Sequence, residues 1–153
     1  MRGAYRVLAF ILAAEVVIQA MAVAFALAGL SYWVLEEGGV LNKQVIESES
    51  AEFTGVVGFP IHAINGMMLI PLLTLLLLVF SFFTRVAGAT KRALIVLGLV
   101  VLQVFLGITS HSLPAAILLH ALNAFAIFSV AVMAGVRAKA AATASDVPVG
   151  AAG

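Results

Sequence analysis

Two histidines stand in otherwise apolar stretches of this chain, and each has the same neighbours. His62-Ala63-Ile64-Asn65 and His120-Ala121-Leu122-Asn123 differ by one conservative change, and a small residue, Gly66 or Ala124, lies four positions after each histidine. An imidazole is costly to bury in hydrocarbon, so ionisable groups there have partners and generally a task. Two of them with matched surroundings point to one shared partner. The chemistry such a pair suits is axial ligation of a haem iron, one neutral imidazole on each side of the macrocycle. Gly66 and Ala124, one helical turn after the histidines, would leave room for a porphyrin edge. Asn65 and Asn123, three residues on, would orient an imidazole or a bound water.

The surrounding composition says what kind of element must hold them. The chain has 153 residues, 64% of them hydrophobic and only 10% charged, with a mean hydropathy of +1.21. A water-soluble surface cannot be built from so few charges, which places the chain among integral membrane proteins. It has no cysteine, excluding disulfides, thiolate metal sites and covalent haem attachment. No nucleic-acid partner is implied.

Four apolar segments are long enough to cross about 30 Å of hydrocarbon as helices. They run approximately over residues 5–30, 60–83, 92–110 and 114–136, with Pro60 and Pro114 in first turns, where proline is tolerated. Arg2 and Arg6 precede the first segment, Arg85, Lys91 and Arg92 join the second to the third, and Arg137 and Lys139 follow the fourth. The positive-inside rule places these three clusters, and both termini, on the cytoplasmic side. The connection over 31–59 carries Glu36, Glu37, Glu47, Glu49 and Glu52 against Lys43, and so lies outside. Tyr32 and Trp33 end the first segment where an aromatic anchor belongs. Residues 1–139 form the transmembrane domain, and 140–153, rich in alanine, form a disordered cytoplasmic tail.

Val16-Val17-Ile18-Gln19 in the first segment is answered by Val100-Val101-Leu102-Gln103 in the third, as His62 is by His120. The matches occur in the same order on helices of the same direction. The predicted fold is therefore all-α, an integral-membrane four-helix antiparallel bundle made of a duplicated two-helix hairpin. A pseudo-two-fold axis along the membrane normal would set His62 and His120 facing each other. His120 lies on the order of 9 Å past Pro114 at about 1.5 Å per residue, in the outer half of the bilayer. For His62 to reach the same depth, its helix must begin before Pro60, near Thr54.

Other polar groups leave alternatives open. Each histidine has a bland reading as polar glue between helices. Gln19 and Gln103 serve as interhelical glue or contact a propionate or ligand. Glu15, within the first segment, is either a proton-handling group or a neutral acid bonded across helices. His111, in the last outer turn, is a solvated loop histidine or, like Lys43, a propionate partner. Phe125, Phe128 and Met67 would pack against a flat apolar ligand. A copper site at His62 with Met67 or Met68 lacks a second nearby histidine.

Gln103-x3-Gly107, Pro114 and His120-x2-Asn123-Ala124 together resemble one four-helix half of the haem A synthase family, and His62 and His120 match its ligand positions in order and separation. The resemblance implies one b-type haem per chain in a bacterial cytoplasmic membrane. The family's catalytic glutamate before the first histidine has no counterpart, since Gly58 and Phe59 stand there, and its outer-loop cysteine pair is missing. The chain is also similar to small four-helix bacterial membrane proteins. The resulting expectation is one-electron transfer near the outer face, with a quinol or a larger redox complex as partner. The alternatives are a non-catalytic membrane subunit, a haem carrier, or a haem A synthase-like enzyme acting on haem or a lipid-soluble substrate.

Overall fold

The computed structural model describes the backbone of residues 1–145, with side chains to 141. The fold is all-α. It consists of α1 (Arg2–Glu36), a short α2 (Lys43–Glu47), α3 (Gly58–Ile64), a π-helical turn (Asn65–Leu69), α4 (Ile70–Phe83), α5 (Ala89–Thr109) and α6 (Ala116–Ser145). Among the described residues, four helical stretches are long and apolar enough to cross a membrane: Arg2–Glu36, Gly58–Phe83, Ala89–Thr109 and Ala116–Ala141. They correspond to the four sequence segments, and the chain is a multi-pass membrane protein of the all-α bundle class.

Several boundaries differ from the sequence reading for local reasons. The first helix runs past the aromatic pair to Glu36. α3 begins at Gly58 after a turn over residues 54–57, so Pro60 keeps its first-turn place. Pro114 lies just before α6, in a tight turn where Ile117 N–H donates to the Pro114 carbonyl at 3.1 Å. The expected disordered tail is corrected in part, because α6 continues through Ser145; alanine is the strongest helix former, and Ala140, Ala141 and Ala142 extend the helix. Residues 146–153 of that tail lie outside the described residues.

The chain divides into two compact units, one of residues 1–16 and 68 onward, the other of Val17–Met67. The first unit holds the hydrophobic core. Ala9, Ala93, Ala131, Ala134 and Ala138 are fully buried there beside Leu12, Leu77, Val96 and Ile127. In lipid the apolar effect does not drive helices together, so close backbone approach over small residues supplies the packing. At the basic end of this unit, Tyr5 Oη donates to the Ala89 carbonyl at 3.2 Å and Arg2 Nη1 to the Ala141 carbonyl at 3.1 Å. These bonds tie the first turns of α1 to the start of α5 and the far part of α6.

The second unit is the C-terminal part of α1 with the loop and α3 that fold onto it. Trp33 is half-buried and stacks on Phe53 with centroids 5.8 Å apart, and Phe53 meets Phe59 edge-on at 6.4 Å. Trp33 therefore has a packing role in the loop. Gly58 sits directly against the Ala22 carbonyl, where any side chain would collide with backbone. This long loop is thus seated on α1. Its one ion pair among the described residues is exposed, Lys43 Nζ with Glu47 Oε1 at 3.6 Å, and adds little to stability.

Candidate functional site: two carbonyl-bonded histidines

In the second unit, His62 Nδ1 lies 3.2 Å from the backbone carbonyl oxygen of Gln19. In the first unit, His120 Nδ1 lies 3.1 Å from the backbone carbonyl oxygen of Gln103. The same ring atom meets the same backbone atom of the matching residue in both repeats. A carbonyl can only accept, so Nδ1 carries the proton in each ring. In a neutral imidazole the lone pair is then on Nε2. Histidines that ligate metals are commonly held this way, with the second ring nitrogen donating to a main-chain carbonyl.

The geometry of the accepting carbonyl bears on the glycine in Gln103-x3-Gly107. The Gln103 carbonyl already takes the α-helical bond from Gly107 N–H, and the imidazole approaches its other lone pair. A Cβ on Gly107 would stand 3.2 Å from His120 Cε1 and 3.4 Å from Nδ1. The ring is therefore seated over Gly107. In the first repeat the corresponding residue is Val23, which is half-buried. The His62 bond forms there all the same, so even a branched side chain at this position is compatible with it.

The glutamine side chains differ between the repeats. Gln103 Oε1 accepts from Asn123 Nδ2 at 2.6 Å, and the same nitrogen donates to the Leu99 carbonyl at 2.8 Å. Both amide protons of Asn123 are thereby committed to α5, and the residue is buried at 7% exposure. Asn123 supports the residue that holds His120 and does not use its amide nitrogen on the ring. In the other repeat, Gln19 Nε2 donates to the His62 carbonyl at 3.0 Å. That bond fixes the amide orientation, since oxygen cannot face a carbonyl oxygen. Gln19 Oε1 is left buried with no hydrogen-bond partner among the described residues. A Cβ on Gly66 would come within 2.6 Å of Gln19 Nε2. The space beside Gly66 is thus occupied by the glutamine amide. Asn65 and Ala124 are half-buried on the turns that carry or follow the histidines.

Some expected contributors lie elsewhere. Phe125 is 71% exposed. It follows His120 by five residues, about 140° around the helix at 3.6 residues per turn, on a different face from the ring. It lines a shallow apolar groove of about 510 Å³ with Leu102, Leu106, Leu119 and Leu122. Met67 is likewise exposed, at 59%. His111 Nδ1 lies 3.2 Å from the carbonyls of both Gly107 and Ile108, so His111 caps the end of α5. Among the described residues, no three histidine, aspartate or glutamate side chains gather as a metal site; axial haem ligation requires only two imidazoles.

The burial pattern extends the repeat well beyond the matched tetrapeptides. Tyr5, Ala9, Leu12, Val16 and Gln19 stand at the same spacing as Ala89, Ala93, Val96, Val100 and Gln103, and every one is buried or half-buried. The interval pattern of small and buried residues was open to reading in the sequence. The role of the glutamine carbonyls was not, because main-chain acceptors leave no mark on residue identity.

No family model, curated protein or solved structure matches the chain. The fold defines its class: an all-α, multi-pass membrane protein, with one carbonyl-bonded histidine in each of two matching sequence repeats.

Proposed function

We propose that the protein binds one b-type haem through His62 and His120 and transfers single electrons near the outer face of a bacterial cytoplasmic membrane. The observation that carries this reading is the duplicated bond from histidine Nδ1 to the glutamine carbonyl, at 3.2 and 3.1 Å. It presents two imidazoles in the tautomer that leaves Nε2 as the ligating nitrogen; the room that Gly66 was expected to leave for a porphyrin edge is taken by the Gln19 amide. This donor set fits a haem with both axial positions filled, and bis-histidine haem supplies one-electron exchange in preference to oxygen activation. Gln19 and Gln103 position the rings through their main chains, and Asn123 braces Gln103. The basic residues at one end of the spans support cytoplasmic termini. The likeness to one haem A synthase half supports haem as the ligand, and the missing glutamate argues against that family's reaction. A quinol or a larger redox complex is the partner class.

The same bonds favour a second reading, a non-catalytic membrane subunit or haem carrier in which the histidines are struts between helices. A reduced-minus-oxidised spectrum of purified protein distinguishes the two. About one haem per chain with a low-spin bis-imidazole spectrum is expected, lost in His62→Ala and His120→Ala and kept in His111→Ala. Full occupancy in the double His62/His120 variant would overturn the ligand assignment. Weak, substoichiometric haem would favour the carrier.

A further inference from the structure

The two repeats agree in spacing on the approach to the histidine and then slip by one. Gly58, His62, Asn65 and Gly66 have the same spacing as Ala116, His120, Asn123 and Ala124. Further along, buried Ile70, Thr74, Leu77 and Ser81 have the same spacing as buried Ile127, Ala131, Ala134 and Ala138. Between the two sets, the first repeat has one residue more: Gly66 to Ile70 is four steps, whereas Ala124 to Ile127 is three. The extra residue coincides with the π-helical turn at Asn65–Leu69.

We infer that this turn is a one-residue insertion in the first repeat, pinned by Pro71, and that by absorbing the extra residue it keeps His62 in the register of His120. A π-turn is the way an α-helix absorbs one added residue without rotating everything beyond it. An unabsorbed residue would turn the following helix by about 100°, given 3.6 residues per turn. Pro71 stands just past the turn, in the second position of α4. It has no N–H to donate, and in a regular helix its ring would clash with the carbonyl of Met67. Widening the preceding turn removes that clash. The insertion therefore lets the His62 turn keep the register of the His120 turn, while the core-facing residues of α4 keep the register of their counterparts in α6. No residue in the second repeat plays this part: Phe128 stands where Pro71 does, and α6 is regular through it.

One residue of the π-turn should accordingly be dispensable once the proline is gone. The test uses the full chain, with Met68 deleted, with Pro71→Ala, with both changes, and with Phe125 deleted from α6 as the control. Met68 and Phe125 are both exposed, at 68% and 71%, so neither deletion removes core packing. The combined variant is expected to purify as a folded, monodisperse protein melting within a few degrees of the parent. The Met68 deletion alone should melt lower than the combined variant, because Pro71 then meets a helix with no spare residue. The Phe125 deletion should misfold or melt far below both. A combined variant as damaged as the Phe125 deletion would overturn the insertion, and equal melting with and without Pro71 would overturn the part given to proline. The register of His62 rests on the proposed haem ligation and is read separately. Where the parent binds haem, the low-spin band should persist within twofold in the combined variant and fall at least tenfold in the Phe125 deletion. Normal folding with a lost low-spin band would overturn the register of His62 while leaving the insertion standing, and a parent without haem would overturn the haem reading alone.

Discussion

Asn123→Leu should destabilise the fold while leaving the His120 ring held. The side chain makes two bonds to α5, 2.8 Å to the Leu99 carbonyl and 2.6 Å to Gln103 Oε1. Interhelical hydrogen bonds in membranes contribute about 0.6 kcal/mol on average and at most about 1.7. The Leu99 carbonyl keeps its helical donor after the change, so its loss lies at the low end of that range. Gln103 Oε1 has no such reserve, and an acceptor left without a partner costs about 1–3 kcal/mol when buried; half-exposure of Gln103 puts it at the low end. The total expected is about 2 kcal/mol, since leucine fills the asparagine volume and adds no cavity. Gln103→Leu in the Asn123→Leu background should cost less than in the parent, with a coupling of about 1 kcal/mol. Reversible unfolding in mixed dodecylmaltoside–SDS micelles, followed by circular dichroism, measures all four proteins. Because His120 bonds to the main chain at Gln103, Gln103→Leu should keep haem occupancy near that of the parent. Additive costs for the two substitutions would refute the reasoning, as would loss of haem in Gln103→Leu alone.

Two further outcomes are expected. Gly107→Ala should be close to neutral in stability and haem content, since Val23 already occupies the matching place in the other repeat, whereas Gly66→Ala should displace the Gln19 amide from the His62 carbonyl and cost about 1–3 kcal/mol as overpacking; comparable melting of the two variants would contradict this contrast. For sidedness, a cysteine introduced at exposed Ser48 should react with an impermeant maleimide in right-side-out vesicles and one at exposed Ala87 only in inverted ones, and the reverse pattern would invert the proposed orientation.

Class, number of spans and the existence of the repeat are all written in side-chain chemistry, and so are legible without coordinates. Apolar runs can satisfy their backbone in lipid only as helices, and paired histidines with paired glutamines mark two copies of one hairpin. Pro71 inside an apolar run also signals that a helix running through from α3 cannot be regular there, although the matched histidines by themselves do not reveal the offset that follows them. What holds the imidazoles is a different matter, set by the packing of the folded chain. Both rings are bonded to main-chain carbonyls, a group every residue has, so nothing in the identity of Gln19 or Gln103 announces it. The fate of the glutamine side chains is equally hidden. Gln103 is met by Asn123, while Gln19 turns its amide to the His62 carbonyl over the gap at Gly66, and only packed backbones at fixed separation determine which donor reaches which acceptor. The helical extension to Ser145 follows from alanine propensity, yet composition alone reads as a tail. Periodicity registers which residues face inward; it does not register where a carbonyl points.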